Sequence, residues 1–174
     1  MIYLNKLSYV IQLHGLIYDS FYKDKDIDAN FRDDLSTKQF MNHRDKAMYI
    51  TNQVIDSIFD LAKINKKINL FEVKKESDGK PIGFLVVTDQ LQLIYSFGIF
   101  PEFRKEYSKA FMDLILKAYP NYQFALYNRN ERAIQWLQKN GYLIVLEDED
   151  HERRKYSVFE HFQRVNDLSS VLSL

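Results

Sequence analysis

The chain has 174 residues, 46% of them hydrophobic, enough for one domain with a full core and too few to expect two. Its 24 basic and 24 acidic residues cancel, so the bulk field gives no attraction to nucleic acid or to an anionic membrane, and neither is expected as a partner. Cysteine is absent, which excludes disulfides, thiolate metal sites and a cysteine nucleophile, so that any group transfer is direct or uses another nucleophile.

In chain order, "IYL" (2–4) reads as a short first strand. "LSYVIQLHGLIYDSFY" (7–22) carries Leu7, Val10, Ile11, Leu13, Ile17 and Phe21 at mostly helical spacing. The N-terminal apolar run is broken by Asn5, Lys6, Gln12 and His14, unlike a signal segment, and no stretch approaches the roughly 20 apolar residues of a membrane span, so a cytoplasmic protein is expected. After the charged "KDKDIDANFRDD", Ser36 and Gln39 form a capping-box pattern. "RDKAMYITNQVIDSIFDLAKI" (44–64) then places Ala47, Ile50, Val54, Ile55, Ile58, Phe59 and Ala62 on one helical face. "INLFEVKK" and "PIGFLVV" flank a tight turn at Asp78 and Gly79, and "LQLIYSFGIF" makes the next antiparallel strand.

"IFPEFRKEYSKAF" (99–111) leads from that strand into a helix through a basic stretch without glycine. A strand that feeds a helix N-terminus is a seat for an anion, because free N–H groups and the helix dipole both favour one there. "SKAFMDLILKAYPN" continues the helix up to Pro120, "YQFALY" is a strand, and Asn130 caps "ERAIQWLQKN", which ends at Gly141. "YLIVLE" and "KYSVFEHF" close the chain as a hairpin across the acidic "DEDHERR", read as a solvated turn. The tail, with Val165, Leu168, Val171 and Leu172 at helical spacing, reads as a segment that packs on the domain or on a partner. The order is β, α, α, β, β, β, α, β, α, β, β.

This order resembles the GCN5-related N-acetyltransferase (GNAT) superfamily. The matching residues are Ile99, Pro101, Phe103 and Arg104 before one helix, and Asn130, Ala133, Trp136, Gly141 and Tyr142 along the next. The resemblance implies an α/β (α+β) fold: a mixed, mostly antiparallel central sheet splayed between its fourth and fifth strands, with helices on both faces. It implies a single domain over 1–174, with a helical N-terminal part (1–68), a sheet and cofactor core (69–161) and a tail (162–174). It further implies acetyl-coenzyme A as acyl donor, lying in the splay, with its acetyl group passed directly to an amine on a small molecule or a protein.

Carried over residue by residue, the resemblance assigns backbone contacts to Ile99 and Phe100. It assigns the pyrophosphate to Arg104, Lys105, Ser108, Lys109 and Ala110, and support of the cofactor arm to Asn130. The family's loop has glycines where one alignment puts Tyr107 and Lys109, and where a loop one residue longer puts Ser108 and Ala110. In the first register Tyr107 crowds the phosphate unless its ring turns away; in the second the small residues leave room, and the second is preferred.

The family's strand glutamate is replaced by the apolar "LQLIY", with Glu72 and Glu102 as substitutes that read more simply as surface residues. Its helix tyrosine is replaced by Leu137, with Tyr127 and Tyr142 nearby by fold analogy. Trp136 reads as core, and the four histidines lack metal-ligand spacing. Two main classes therefore stay open: a divergent acetyltransferase, or a catalytically silent protein of the same shape that binds or builds, as a homodimer or larger assembly; a nucleotide-binding module using the same helix start is a remote third. The Lys-, Asn- and Ile-rich composition with 5 glycines fits a viral or low-GC bacterial source.

Overall fold

The computed structural model describes residues 1–30, 42–64 and 67–163. The elements are β1 (Ile2–Leu7), α1 (His14–Tyr22), α2 (His43–Ile64), β2 (Ile68–Lys75), β3 (Pro81–Thr88), β4 (Leu93–Ile99), α3 (Arg104–Ala118), β5 (Gln123–Tyr127), α4 (Glu131–Lys139), β6 (Tyr142–Glu149) and β7 (Lys155–His161). This is the order expected from the sequence. The capping pattern at Ser36 and Gln39 and the tail from Val165 onward lie outside the described residues.

The strands form one sheet of order β1-β2-β3-β4-β5-β7-β6, antiparallel at every step except β4 with β5. β3 lies inside the sheet with both faces covered, which is why its sequence is a continuous apolar run instead of an alternation. Its Phe84 and Val86 meet Leu16 and Ile17 of α1 and Ile55 and Ile58 of α2. Its Leu85 and Val87 meet Phe111, Met112 and Ile115 of α3 and Leu137 of α4. Helices thus cover both faces, and burial of each such side chain contributes about 1.5–3 kcal/mol.

Several local expectations change. β1 runs on to Leu7, which pairs with Leu70 of β2, because an open sheet edge offers hydrogen bonds that an isolated helix start does not. Val10 to Leu13 form a 3-10 turn ahead of α1. In α2 the buried stripe takes Thr51 and Leu61, and leaves Phe59 and Ala62 exposed, so the helix is rotated from the face that periodicity suggested. The turn at Asp78 and Gly79 forms as expected: Gly79 has φ +67°, and the Lys80 N–H donates to Asp78 Oδ1 at 3.0 Å.

Two features open the sheet. Val86 pairs with Ser96 and Val87 with Ile94, so Tyr95 is an extra residue in β4, a bulge that bends the strand. The parallel pairing of β4 with β5 lasts only for Leu93 with Gln123 and Ile94 with Phe124. Beyond these pairs β5 turns to β7, and the two strands part.

Candidate functional site: a slot through the sheet

The parted strands leave a cavity of about 530 Å³ that passes between the sheet's faces. Ser96 to Ile99 of β4 form one wall and Ala125 to Tyr127 of β5 the other. On one face it is closed by Ser108 and Phe111 of α3 and Ala133 and Trp136 of α4, and on the other by Phe21 of α1 and Ile50, Val54 and Ser57 of α2. Its floor is aromatic. Trp136 stacks on Phe111 at 6.0 Å and 14°, packs on Phe97 at 5.5 Å, and meets Phe124 edge-on at 6.3 Å. The Trp136 indole N–H is buried without a hydrogen-bond partner.

Of the residues expected at the site, Ile99, Arg104, Ser108 and Asn130 line the slot. Lys105 and Lys109 point to solvent, and Lys109 is paired with Asp113 at 2.6 Å. Ala110 packs on the core. The Phe100 N–H is taken by Ile82 O at 2.7 Å, and its carbonyl already accepts the Phe103 N–H at 2.8 Å. Asn130 serves as the expected cap, with Oδ1 accepting from Ala133 N–H at 3.4 Å.

The helix start corrects both registers considered for the glycine-free loop. A 3-10 turn at Pro101–Phe103 runs straight into α3, which begins at Arg104. Ser108 and Ala110 therefore lie past the first turn, where N–H groups bond carbonyls four residues back and cannot cradle a phosphate. Tyr107 does turn away, packing edge-on against Phe103 at 6.1 Å.

Arg104 is not a free charge partner. Its Nε donates to Ile99 O at 2.9 Å, Nη2 to Ser20 O at 3.0 Å and Nη1 to Asp24 Oδ2 at 3.0 Å. Arg132 of α4 donates to both oxygens of the same carboxylate and, at 3.3 Å, to Asp26. Asp24 is 1% exposed. Burial alone would raise its pKa, but the hydrogen bond from Arg132 and the charge of Arg104 outweigh that and hold it below the usual value. This lock ties the end of α1 to the starts of α3 and α4, and sequence reading missed it because the three residues are far apart in the chain.

Asp150 was also missed, having been read as part of a solvated turn. It lines the slot with Tyr127 and Tyr156. Its Oδ1 accepts the N–H groups of Glu152 and Arg154, both at 2.9 Å; its Oδ2 accepts the Tyr127 hydroxyl at 3.0 Å and Arg154 Nε at 2.7 Å. Desolvation pushes the carboxyl up, yet the bonds from Arg154 and Tyr127 prevail and hold it well below the carboxylate range. With all four lone-pair sites engaged, Asp150 is a poor base and an effective clamp on Tyr127.

The other candidates for acid and base lie away from the slot. Glu72 is bound by Asn5 at 2.7 Å and Lys74 at 3.2 Å on β2, two strands away. Glu102 pairs with Lys23 at 3.5 Å outside the lining. Tyr142 is 1% exposed, and burial pushes its phenol up to about 12. Leu137 is in the core.

Neither a family model nor a curated protein sequence matches the chain. Solved structures do. YjaB of Escherichia coli superposes with a TM-score of 0.58 at 15% identity, over 91% of this chain and 96% of that one. A probable acetyltransferase of the GNAT family from Chromobacterium violaceum gives 0.58 at 15% identity, over 95% and 90%. The PaiA N-acetyltransferase of Thermoplasma acidophilum, solved with coenzyme A, gives 0.52 at 16% identity, over 92% and 99%. The seven-stranded sheet, its parallel β4–β5 step and its helices on both faces give this chain the fold of the GNAT acetyltransferases.

Proposed function

We propose that the protein is an acyl-coenzyme A dependent N-acetyltransferase that passes an acetyl group directly to an amine. The observation that carries this reading is the slot itself: beyond Ile94 and Phe124 the edge of β4 that faces β5 has no strand partner among the described residues. An extended arm with amide groups is the kind of ligand such an edge binds by main-chain hydrogen bonds. Ser96 to Ile99 would hold the arm against the aromatic floor, and the donor's thioester, when bound, supplies the acetyl group. Without a glycine loop, the phosphate end would rest on Ser108 and Asn130 of the lining and on the exposed Lys105.

Arg104's engagement and the early start of α3 favour a second reading, a silent protein of the same shape that binds without turnover. Calorimetry and thermal-shift titration with acetyl-coenzyme A test the first. Saturable binding is expected, and Ser108→Glu, which sets a carboxylate in the slot, abolishes it. No stabilisation at millimolar donor would sink the transferase reading. Binding without thiol release from any amine would leave the silent one.

A further inference from the structure

The arginines of the slot's lining, Arg104 and Arg132, gather on Asp24 where the end of α1 meets the starts of α3 and α4. The mouth walled by Phe21, Ile50, Val54, Ser57 and the bulged Tyr95 is made of uncharged side chains. The polar groups of that mouth are engaged internally. The Ser57 hydroxyl donates to Val54 O at 2.8 Å, and the Tyr95 hydroxyl lies 3.5 Å from Ser57 O. Among the described residues no charged side chain lines this mouth. Asp150, the one carboxylate in the slot's lining among the described residues, is saturated by four donors and faces the Arg154 guanidinium. An ammonium brought here meets no compensating charge, and stripping water from each such group costs several kcal/mol.

Resting on the transferase reading, we propose that the acceptor is a monoamine of low basicity carried on an apolar or aromatic body, and that entry into this mouth supplies its neutral nitrogen without a protein base. Attack needs an uncharged amine. Near pH 7.5 an α-amino group is roughly one-quarter to two-fifths neutral, a lysine-type amine only about one part in a thousand. Desolvation against an apolar wall lowers an ammonium pKa further. A weakly basic amine thus arrives ready to react, and the missing strand glutamate has no proton to take. The nitrogen bonds to the acetyl carbonyl carbon, the carbon–sulfur bond breaks, and the proton the nitrogen sheds passes through water to the departing thiolate.

The test compares L-phenylalaninamide with spermidine as acceptors, following thiol release from acetyl-coenzyme A between about pH 6 and 9. Expected is a kcat/KM at least about tenfold higher for phenylalaninamide, with an acid limb that moves with the pKa of the amine when the more basic benzylamine replaces it. Val54→Asp, which adds a carboxylate to the apolar mouth, should reverse the preference, read as the ratio of the two kcat/KM values within that one variant. A preference of the unaltered protein for spermidine, or an acid limb fixed at one pH for every amine, would overturn the proposal and leave the transferase reading intact. Absence of any thermal shift by acetyl-coenzyme A would overturn both.

Discussion

Asp24 gathers Arg104 and Arg132 around one buried carboxylate. Removing its charge leaves two guanidiniums short of a partner, which for a buried pair costs roughly 3–5 kcal/mol. Asp24→Asn should fall at the low end of that range, because the Arg132 side chain is 45% exposed and keeps Asp26. The pKa of Asp24 is lowered in the fold, so its contribution is complete above the unfolded carboxyl value of about 3.9 and is lost as pH falls through the lowered one. Urea midpoints of the two proteins should therefore differ at pH 7 and converge in strong acid; a gap that does not change with pH would refute the ion-pair account. Trp136, the single tryptophan of the chain, lies in the slot lining. Its fluorescence is expected to change saturably with acetyl-coenzyme A, and an unaltered spectrum under conditions where calorimetry shows binding would place the donor elsewhere. The cap at Asn130 was legible because capping depends on residues three apart. The Asp24 and Asp150 clusters were not: one joins residues 108 apart, and the other looks from its local sequence like an ordinary acidic turn.

α4 shows how local rules set an element. Asn130 caps its start, and Gly141 with φ +86° ends it. Asn130→Ala should cost about 1 kcal/mol or less, since the capping contact is long at 3.4 Å, and two-state urea unfolding measures it. Gly141→Ala should cost more. The left-handed backbone penalises a side chain by roughly 1–2 kcal/mol, and a Cβ there would come within 2.8 Å of Phe162. If the two substitutions cost the same, strain at Gly141 is absent. The start of α3 could not be read in the same way. "PEFRKEY" carries no breaker after Pro101, and the expectation of a loop there came from the family resemblance alone. The chain instead winds directly from a 3-10 turn into the helix, as proline at the first helical position favours.

At the scale of the molecule, the sheet ends on β6, whose Leu143, Ile144, Val145 and Leu146 are 41–50% exposed. An aliphatic edge strand is a template for pairing with another chain. Self-association through β6 is expected, detected as concentration-dependent sedimentation that Ile144→Lys abolishes; a wild-type protein that stays monomeric as concentration rises would contradict it. Taken alone, the sequence determined the order of the elements, the cap and end of α4, the tight turn at Asp78 and Gly79, and the residues Ile99, Ser108 and Asn130 that meet in the slot. These follow from periodicity and turn chemistry, which act over a few residues, together with the family resemblance. Only the tertiary structure decided where β4 and β5 part, that Arg104 is locked instead of free, that Asp150 and Tyr127 share a wall, and that one mouth of the slot is apolar. Each depends on side chains brought together from distant parts of the chain, and their charge states are set by burial and partners that no local pattern encodes.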